Sequence, residues 1–339
     1  MRRILIIISV LIIALKINAQ DIHFSQYNAQ PLVLNPALSG LNECDYRVGA
    51  IFRAQWFSVS QGNTYRTTSA FADMAIVKPR RGSNFLGAGI SFYADQAGDL
   101  NYNTNKVDLS LAYHIILDKN TQQSFSLGLQ GGFAHRSIDQ SKAIFSYDPI
   151  TGEPNVNPAS IETLNTDPLF YSDVGMGILW SIKPKPTSSY HLGFAIQHLN
   201  QPNISGFYTQ NENERQYMKF TGHFGSLIPL SRRLAIMPGL LLLKQGPSFE
   251  ANISNYFKLN FSDNPTNKTA IYFGTMYRVL DAVILALRAD VKGVSINFSY
   301  DINVSKLTPS SKANGGPELG ITYTGCIKRD YKKTYCPDF

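Results

Sequence analysis

The chain has 339 residues and a formal net charge of +7, yet only 16% of it is charged, against about 25% in soluble domains, while aromatics reach 12%. Arg2, Arg3 and Lys16 supply three of the positive charges, so the chain beyond residue 19 carries 7 − 3 = +4, too little for a nucleic-acid footprint. Few charges and many Tyr and Phe are what a wall facing lipid requires.

At the amino end, Arg2 and Arg3 precede a predominantly apolar stretch from Ile4 to Leu15, and Lys16-Ile17-Asn18-Ala19 leads to a polar Gln20. This pattern predicts a signal peptide over residues 1–19, cleaved after Ala19, because the stretch is at the short limit for a span of about 20 residues. Residues 20–44 then break all periodicity. Two prolines and a glycine in Gln30-Pro-Leu-Val-Leu-Asn35-Pro36-Ala-Leu-Ser-Gly40 resist both a helix and a central strand. Leu32, Val33, Leu34 and Leu38 would be poorly solvated in a free linker. We therefore expect a plug in the periplasmic mouth of a barrel, with a segment along its rim as the other possibility.

From residue 46 onward the chain alternates. Phe125, Leu127 and Leu129 interleave with Ser126, Gly128 and Gln130; Leu192, Phe194 and Ile196 interleave with His191, Gly193, Ala195 and Gln197. Period two places one set on each face of a strand, the large apolar set suiting lipid and the small or polar set suiting a lumen. The same test predicts an all-β protein, a transmembrane antiparallel barrel of about fourteen strands over residues 45–325. The strands should begin near Tyr46, Arg66, Phe85, Asn105, Gln123, Leu169, Ser189, Met218, Arg233, Phe249, Thr269, Ala282, Gly293 and Gly316. Connections at 136–168 and 199–217 are long, whereas those at 118–122, 229–232 and 291–292 are short. That asymmetry places the long loops outside and both chain ends in the periplasm, with 260–268 as an exception.

Of three cysteines, Cys326 and Cys336 bracket a short basic tail, residues 326–339, which contains Lys328-Arg329 and Lys332-Lys333. In an exported chain a Cys326–Cys336 disulfide is the natural expectation and leaves Cys44 over. Phosphate-loop, zinc-protease and Gly-x-Ser-x-Gly signatures are absent, and no cofactor or metal is implied. The six histidines are scattered over different predicted strands and the amino-terminal segment, which supplies no catalytic triad.

Several motifs in order carry a resemblance: His23-Phe-Ser-Gln26-Tyr27, Pro31-Leu-Val-Leu-Asn35-Pro36-Ala37, and Arg53-Ala-Gln55-Trp56. They continue with His198-Leu-Asn200-Gln201-Pro202, Tyr277-Arg278-Val-Leu-Asp281, Phe298-Ser-Tyr300-Asp301 and Ser305-Lys-Leu307, ending on Cys336-Pro-Asp-Phe339. Together they resemble the PorP/SprF family of type IX secretion system membrane proteins. The stretch Asn314-Gly-Gly-Pro-Glu318 and Cys44 depart from the family's pattern.

The resemblance implies an outer-membrane protein of Bacteroidota that aids export or surface anchoring of proteins with a carboxy-terminal sorting domain, in some species in gliding. Expected partners are the periplasmic ring, a peptidoglycan-associated lipoprotein or a large secreted adhesin, besides outer-membrane lipid. His23, Gln26, Tyr27, Asn35 and Pro36 are the expected plug or partner-contact positions. The alternatives are a FadL-like diffusion channel for a hydrophobic small molecule, which needs an apolar lumen, and a lipid enzyme, which needs a serine and histidine in reach near the outer leaflet.

Overall fold

The computed structural model describes residues 21–42, 44–55, 65–77, 83–98, 100–139, 146–147, 154–155, 168–185, 187–205, 214–261, 269–305 and 308–326. The expected signal peptide, Trp56, the tail beyond Cys326 with Cys336, most of the 136–168 loop and residues 206–213 of the 199–217 loop lie outside these residues.

Among them, fourteen antiparallel strands close into one barrel. They are β1 (Tyr46–Gln55), β2 (Tyr65–Val77), β3 (Phe85–Ala97), β4 (Tyr102–Asp118), β5 (Gln123–Ser137), β6 (Leu169–Lys185) and β7 (Ser188–Gln197). The second half contains β8 (Lys219–Pro229), β9 (Leu234–Gln245), β10 (Ser248–Asn260), β11 (Thr269–Arg278), β12 (Ala282–Val291), β13 (Val294–Asn303) and β14 (Asn314–Gly325). Each strand pairs with its neighbour in sequence, and β1 pairs with β14 from Tyr46↔Gly325 to Arg53↔Glu318, which leaves no open edge. Ser146–Tyr147 and Pro154–Asn155 form a separate two-residue ladder.

The alternation sorts the faces. Leu127, Leu129, Leu192 and Phe194 are exposed on the outer wall, while Ser126, Gln130, His191 and Ala195 are buried inside it. Strand starts fall within three residues of expectation, the largest difference being β4, which begins at Tyr102 rather than Asn105. There Asn103 and Asn105 pair with Ser137 and His135. Without apolar residues on the lipid side, the strand continues above the hydrocarbon and the alternation fades before the pairing does.

Inside the barrel lies the amino-terminal segment. It is built from a 3-10 turn (Tyr27–Ala29), one helical turn (Pro31–Leu34) and a second 3-10 turn (Pro36–Leu38). Pro31 and Pro36 each occupy a first helical position, where a missing N–H costs nothing. Leu32, Leu34, Ala37 and Leu38 are buried, and the segment packs most closely on β5, β6 and β4. It does not stop at the periplasmic mouth. Gly40 and Leu41 lie near the short-turn end, whereas Asp21 reaches Gln245 and His198, at the end that carries the long loops.

The cysteine expectation is corrected. Cys326 is joined to Cys44 across 282 residues, and the Cys326–Cys336 pairing is not what the fold makes. Barrel closure is the reason. Pairing Tyr46 with Gly325 brings the residues just outside β1 and β14 together, with Cα atoms 4.6 Å apart, within bridging distance. Sequence proximity favoured the tail loop, but the β1–β14 seam had already removed the cost of the long one.

Candidate functional site

The plug is held by three groups of wall residues, taken here from the short-turn end outward. At the bottom, the Gly40 N–H donates to Asp73 Oδ2 at 2.8 Å, and Arg47 binds the same carboxylate through Nε at 3.0 Å and Nη2 at 3.1 Å. His114 bridges Ser126 Oγ (2.7 Å) and the Ser39 carbonyl (2.9 Å).

The middle group is centred on Asn35. Its Oδ1 accepts from the Ala37 N–H at 2.9 Å and caps the turn begun by Pro36, while Nδ2 donates to the Ile178 carbonyl at 3.0 Å and lies 3.1 Å from His223 Nε2. The wall makes room with glycine. A Cβ on Gly128 would collide with the Pro36–Ala37 backbone, and one on Gly177 with the Asn35 side chain. Gln197 also donates to the Val33 carbonyl at 2.8 Å, so backbone groups of an irregular buried segment find partners on the wall.

The outer group is ionic and has two halves. In one, Arg53 pairs with Asp301 (3.1 Å) and Glu318 (3.2 Å), and Arg278 pairs with Asp301 (3.0 Å), Asp281 (2.9 Å) and Glu250 (3.5 Å). The two arginines and two acids at its centre grip the plug backbone. Glu318 accepts from the Ser25 and Gln26 N–H groups at 2.7 and 3.0 Å, Arg53 donates to the His23 carbonyl, and Ser25 Oγ bridges Arg278 and Asp301. Gln55, with its amide oxygen turned inward, accepts from Arg53. In the other half, His198 bridges Asp173 (2.9 Å) and Asp21, Lys106 pairs with Asp108 (3.1 Å) and Asp173, and Lys219 Nζ donates to the Ile22 carbonyl at 3.3 Å.

His198 stands just past β7 in the left-handed region, with φ 58°, which turns its ring into the lumen. Asn200 holds that turn on β6 by accepting from the Val174 N–H (3.2 Å) and donating to the Ser172 carbonyl (2.7 Å). Gln201 closes it on the His198 carbonyl at 3.0 Å, and the Pro202 carbonyl accepts from the Gln216 N–H at 2.9 Å. Burial pulls the imidazole down, but the Asp21 and Asp173 carboxylates outweigh it and raise the His198 pKa above its ordinary 6.5.

Sequence motifs thus converge in part. Gln26, Tyr27, Asn35, Pro36, Arg53, His198, Arg278 and Asp301 meet in the lumen, with Tyr27 Oη 3.0 Å from Ser254 Oγ and Gln26 Nε2 donating to Ser299 Oγ at 2.8 Å. His23 contacts Glu250 at 3.5 Å. Tyr277 instead faces outward, where its hydroxyl accepts from the Leu280 N–H at 3.3 Å, and Tyr300 donates to Asn314 Oδ1 at 3.1 Å near the outer end of β13. Asp21, Lys106, Asp173, Lys219 and Glu318 escaped the motif reading. A signal existed: each strand residue among them is a charge at lumen parity near the outer end of a strand. The buried His114–Ser126 pair faces a carbonyl rather than a carboxylate, and it lies deep in the lumen, far from the outer leaflet where a lipid enzyme would need it.

The family model for the type IX secretion system membrane protein PorP/SprF matches residues 16–323 of the chain. This chain belongs to the PorP/SprF family. As a PorP/SprF protein with this fold it is an outer-membrane barrel with a membrane role in type IX secretion, associated with the secretion machinery. No curated protein sequence matches it. Among solved structures it is similar to the Ralstonia pickettii toluene transporter TbuX, at 10% identity and a TM-score of 0.51, over 88% of this chain and 93% of that one. A Pseudomonas aeruginosa FadL homologue matches at 10% identity and 0.45, over 85% and 92%. BamA from Haemophilus ducreyi matches at 12% identity and 0.40, over 83% and 70%. At these identities the likeness to TbuX concerns the fold alone.

Proposed function

We propose that this PorP/SprF barrel is a non-enzymatic partner of the type IX machinery that helps export, or holds at the cell surface, proteins bearing a carboxy-terminal sorting domain. The observation that carries this reading is the lumen. Its inner wall carries buried Ser, Thr, Asp, Lys, Arg and His beside apolar residues such as Phe85, Leu179 and Leu241 that pack on the plug, and the plug, running its length, is bound to the wall at bottom, middle and top. A cargo protein therefore has no route through this barrel, and its work falls to the two ends. The outer end carries the long loops, suited to a large secreted adhesin. The periplasmic end faces the ring or a peptidoglycan-associated lipoprotein. The plug, not the lining, disfavours diffusion of a hydrophobic small molecule, which would need a continuous path through the lumen.

Deletion of the gene tests this. Surface display of sorting-domain proteins should fall while uptake of small hydrophobic compounds stays at the parental rate. Normal display with impaired uptake would replace the proposal with the channel reading.

A further inference from the structure

Residues 21–26 are held through their main chain as well as their side chains. The Asp21 N–H donates to Gln245 Oε1 at 2.9 Å, the Ile22 carbonyl accepts from Lys219 Nζ at 3.3 Å, and the His23 carbonyl accepts from Arg53. Glu318 takes the Ser25 and Gln26 N–H groups on its two oxygens, at 2.7 and 3.0 Å. Five of these six residues are thus gripped by backbone groups that every amino acid except proline carries in full, so the wall here forms a cradle for a short stretch of chain rather than for one sequence. Two side chains add selectivity. Asp21 meets His198 and accepts from Gln216 Nε2 at 2.9 Å, and the Ser25 hydroxyl bridges Arg278 and Asp301. Gln245 is the last residue of β9, at the turn into β10, so the cradle begins at the outer mouth.

The plug does not fill this cradle completely. Thr221 Oγ1, Gln216 Oε1 and both amide atoms of Asn252 are buried with no hydrogen-bond partner among the described residues. Asn252 stands between Glu250 and Ser254 on the inward face of β10; those two reach His23 and Tyr27, so the Asn252 amide is aimed at the plug between them. Thr221 and Lys219 line a cavity of about 30 Å³ against Ile22, Phe24 and Val33. Polar groups buried without partners destabilise the occupied state, and a chain that bonded them would be held more tightly than residues 21–26 are.

We infer that residues 21–26 occupy, in cis, a binding site for an extended peptide segment of a secreted partner, which enters from the outer mouth and displaces them. The occupant shows the chemistry required. The incoming segment carries an acidic residue at the rim for His198 and Gln216, a serine or threonine four positions further in for Arg278 and Asp301, and main chain for Gln245, Lys219, Arg53 and Glu318. Exchange stops at Asn35-Pro36-Ala37, which is locked among wall glycines, so the lumen stays plugged while its outer half changes occupant. The partner's being a secreted protein rests on the outer-end reading given above, whereas the peptide chemistry rests on the lumen alone. Binding in micelles and display on cells can therefore fail separately.

The probe is the heptapeptide Asp-Ile-His-Phe-Ser-Gln-Tyr, the sequence of residues 21–27, with fluorescein on its amino end so that the label stays outside the mouth. Its anisotropy is followed against the full mature chain in detergent micelles, both native and carrying Asp21→Lys with Ser25→Arg, which sets like charges against the wall and expels the cis segment. A tethered segment competes at a millimolar effective concentration, so the double variant should bind the peptide about tenfold more tightly than the native chain. In that background Glu318→Gln and Lys219→Met should each weaken binding about fivefold, while Ile22→Ala in the peptide should change it by less than about twofold. The scrambled peptide Phe-Ser-Gln-Asp-Tyr-His-Ile should not bind. If the charged pair prevents folding, as read on unheated gels, Asp21→Asn with Ser25→Ala takes its place, with a gain of about threefold expected from this milder release. No binding to a folded variant, equal affinity for the native chain, equal binding of the scrambled peptide, or insensitivity to both wall changes would overturn the site.

Discussion

The two ends of the plug are held by different physics. Near the short turns one buried ion pair, Asp73 with Arg47, holds the Gly40 N–H, but shape and covalency are added to it: glycines in the wall admit Asn35-Pro36-Ala37, and the Cys44–Cys326 bond ties the chain just below β1 to the end of β14. Near the long loops it is fixed mainly by charge, through the Arg53–Arg278–Asp301–Glu318 group and the His198–Asp21 contact, with no covalent tie among the described residues. Shape complementarity in a close-packed lumen cannot be undone without moving the wall. An ionic contact can be undone by a competing charge or a change of protonation. The difference makes residues 21–26 the releasable end and residues 35–44 the anchor.

The sharpest way to break this comparison is Arg53→Met. The variant leaves Glu318 buried with only the Ser25 and Gln26 N–H groups on its oxygens and strips one of two guanidinium partners from Asp301. Removing one member of a buried ion pair costs about 3–5 kcal/mol. The expected outcome is protease cleavage within residues 21–26 of a barrel that still migrates as folded on unheated gels. If the whole barrel unfolds instead, the outer group is part of the fold and not a releasable clamp.

The anchor is tested by Cys326→Ser. Loss of a native disulfide typically costs about 2–4 kcal/mol, and the eight residue pairs of the β1–β14 seam should still close the barrel. We expect a lower unfolding midpoint in urea, with the protection of residues 21–26 unchanged. Peptide mapping of the native chain without reductant should recover Cys44 linked to Cys326 and label Cys336 with a thiol reagent. A linked Cys326–Cys336 peptide would restore the tail-loop pairing and remove the covalent anchor from the comparison.

How legible these two regions were differs for the same physical reason. Strand positions and faces could be read because lipid imposes a two-residue period on every strand it touches, as in Leu127-Gly128-Leu129. The presence of a buried amino-terminal segment could be read from Leu32, Leu34 and Leu38, which need cover. The partners of that segment could not. Ser25 with Glu318 and Asp21 with His198 are separated by 293 and 177 residues, and only the closed barrel decides which lumen positions face one another. Cys44 with Cys326 failed for that reason too. Motif resemblance marked Arg53, His198, Arg278 and Asp301 as a set without showing that they converge on the plug.

The smallest expected effect is that of pH on the outer end. His198 is faced by Asp21 from the plug, Asp173 from β6, Lys106 and Asp108 from β4 and Lys219 from β8; the two contacting carboxylates raise its pKa above 6.5 against the pull of burial. Asp21 is displaced the other way. Burial raises it, but His198, Lys219 and Lys106 bring its carboxyl well below the ordinary 3.8. A raised base stabilises the folded contact fully below 6.5 and loses that contribution as pH climbs through its folded value, whereas the lowered acid loses its share only in strong acid. Hydrogen exchange of residues 21–26, corrected for intrinsic rates, should therefore be constant between about pH 5 and 6.5 and become less protected above it, with residues 35–42 unaffected. His198→Gln should remove that dependence while leaving the anchor's protection intact. The same slope persisting in His198→Gln would assign the titration to another group and leave the outer end held by the arginine cluster alone.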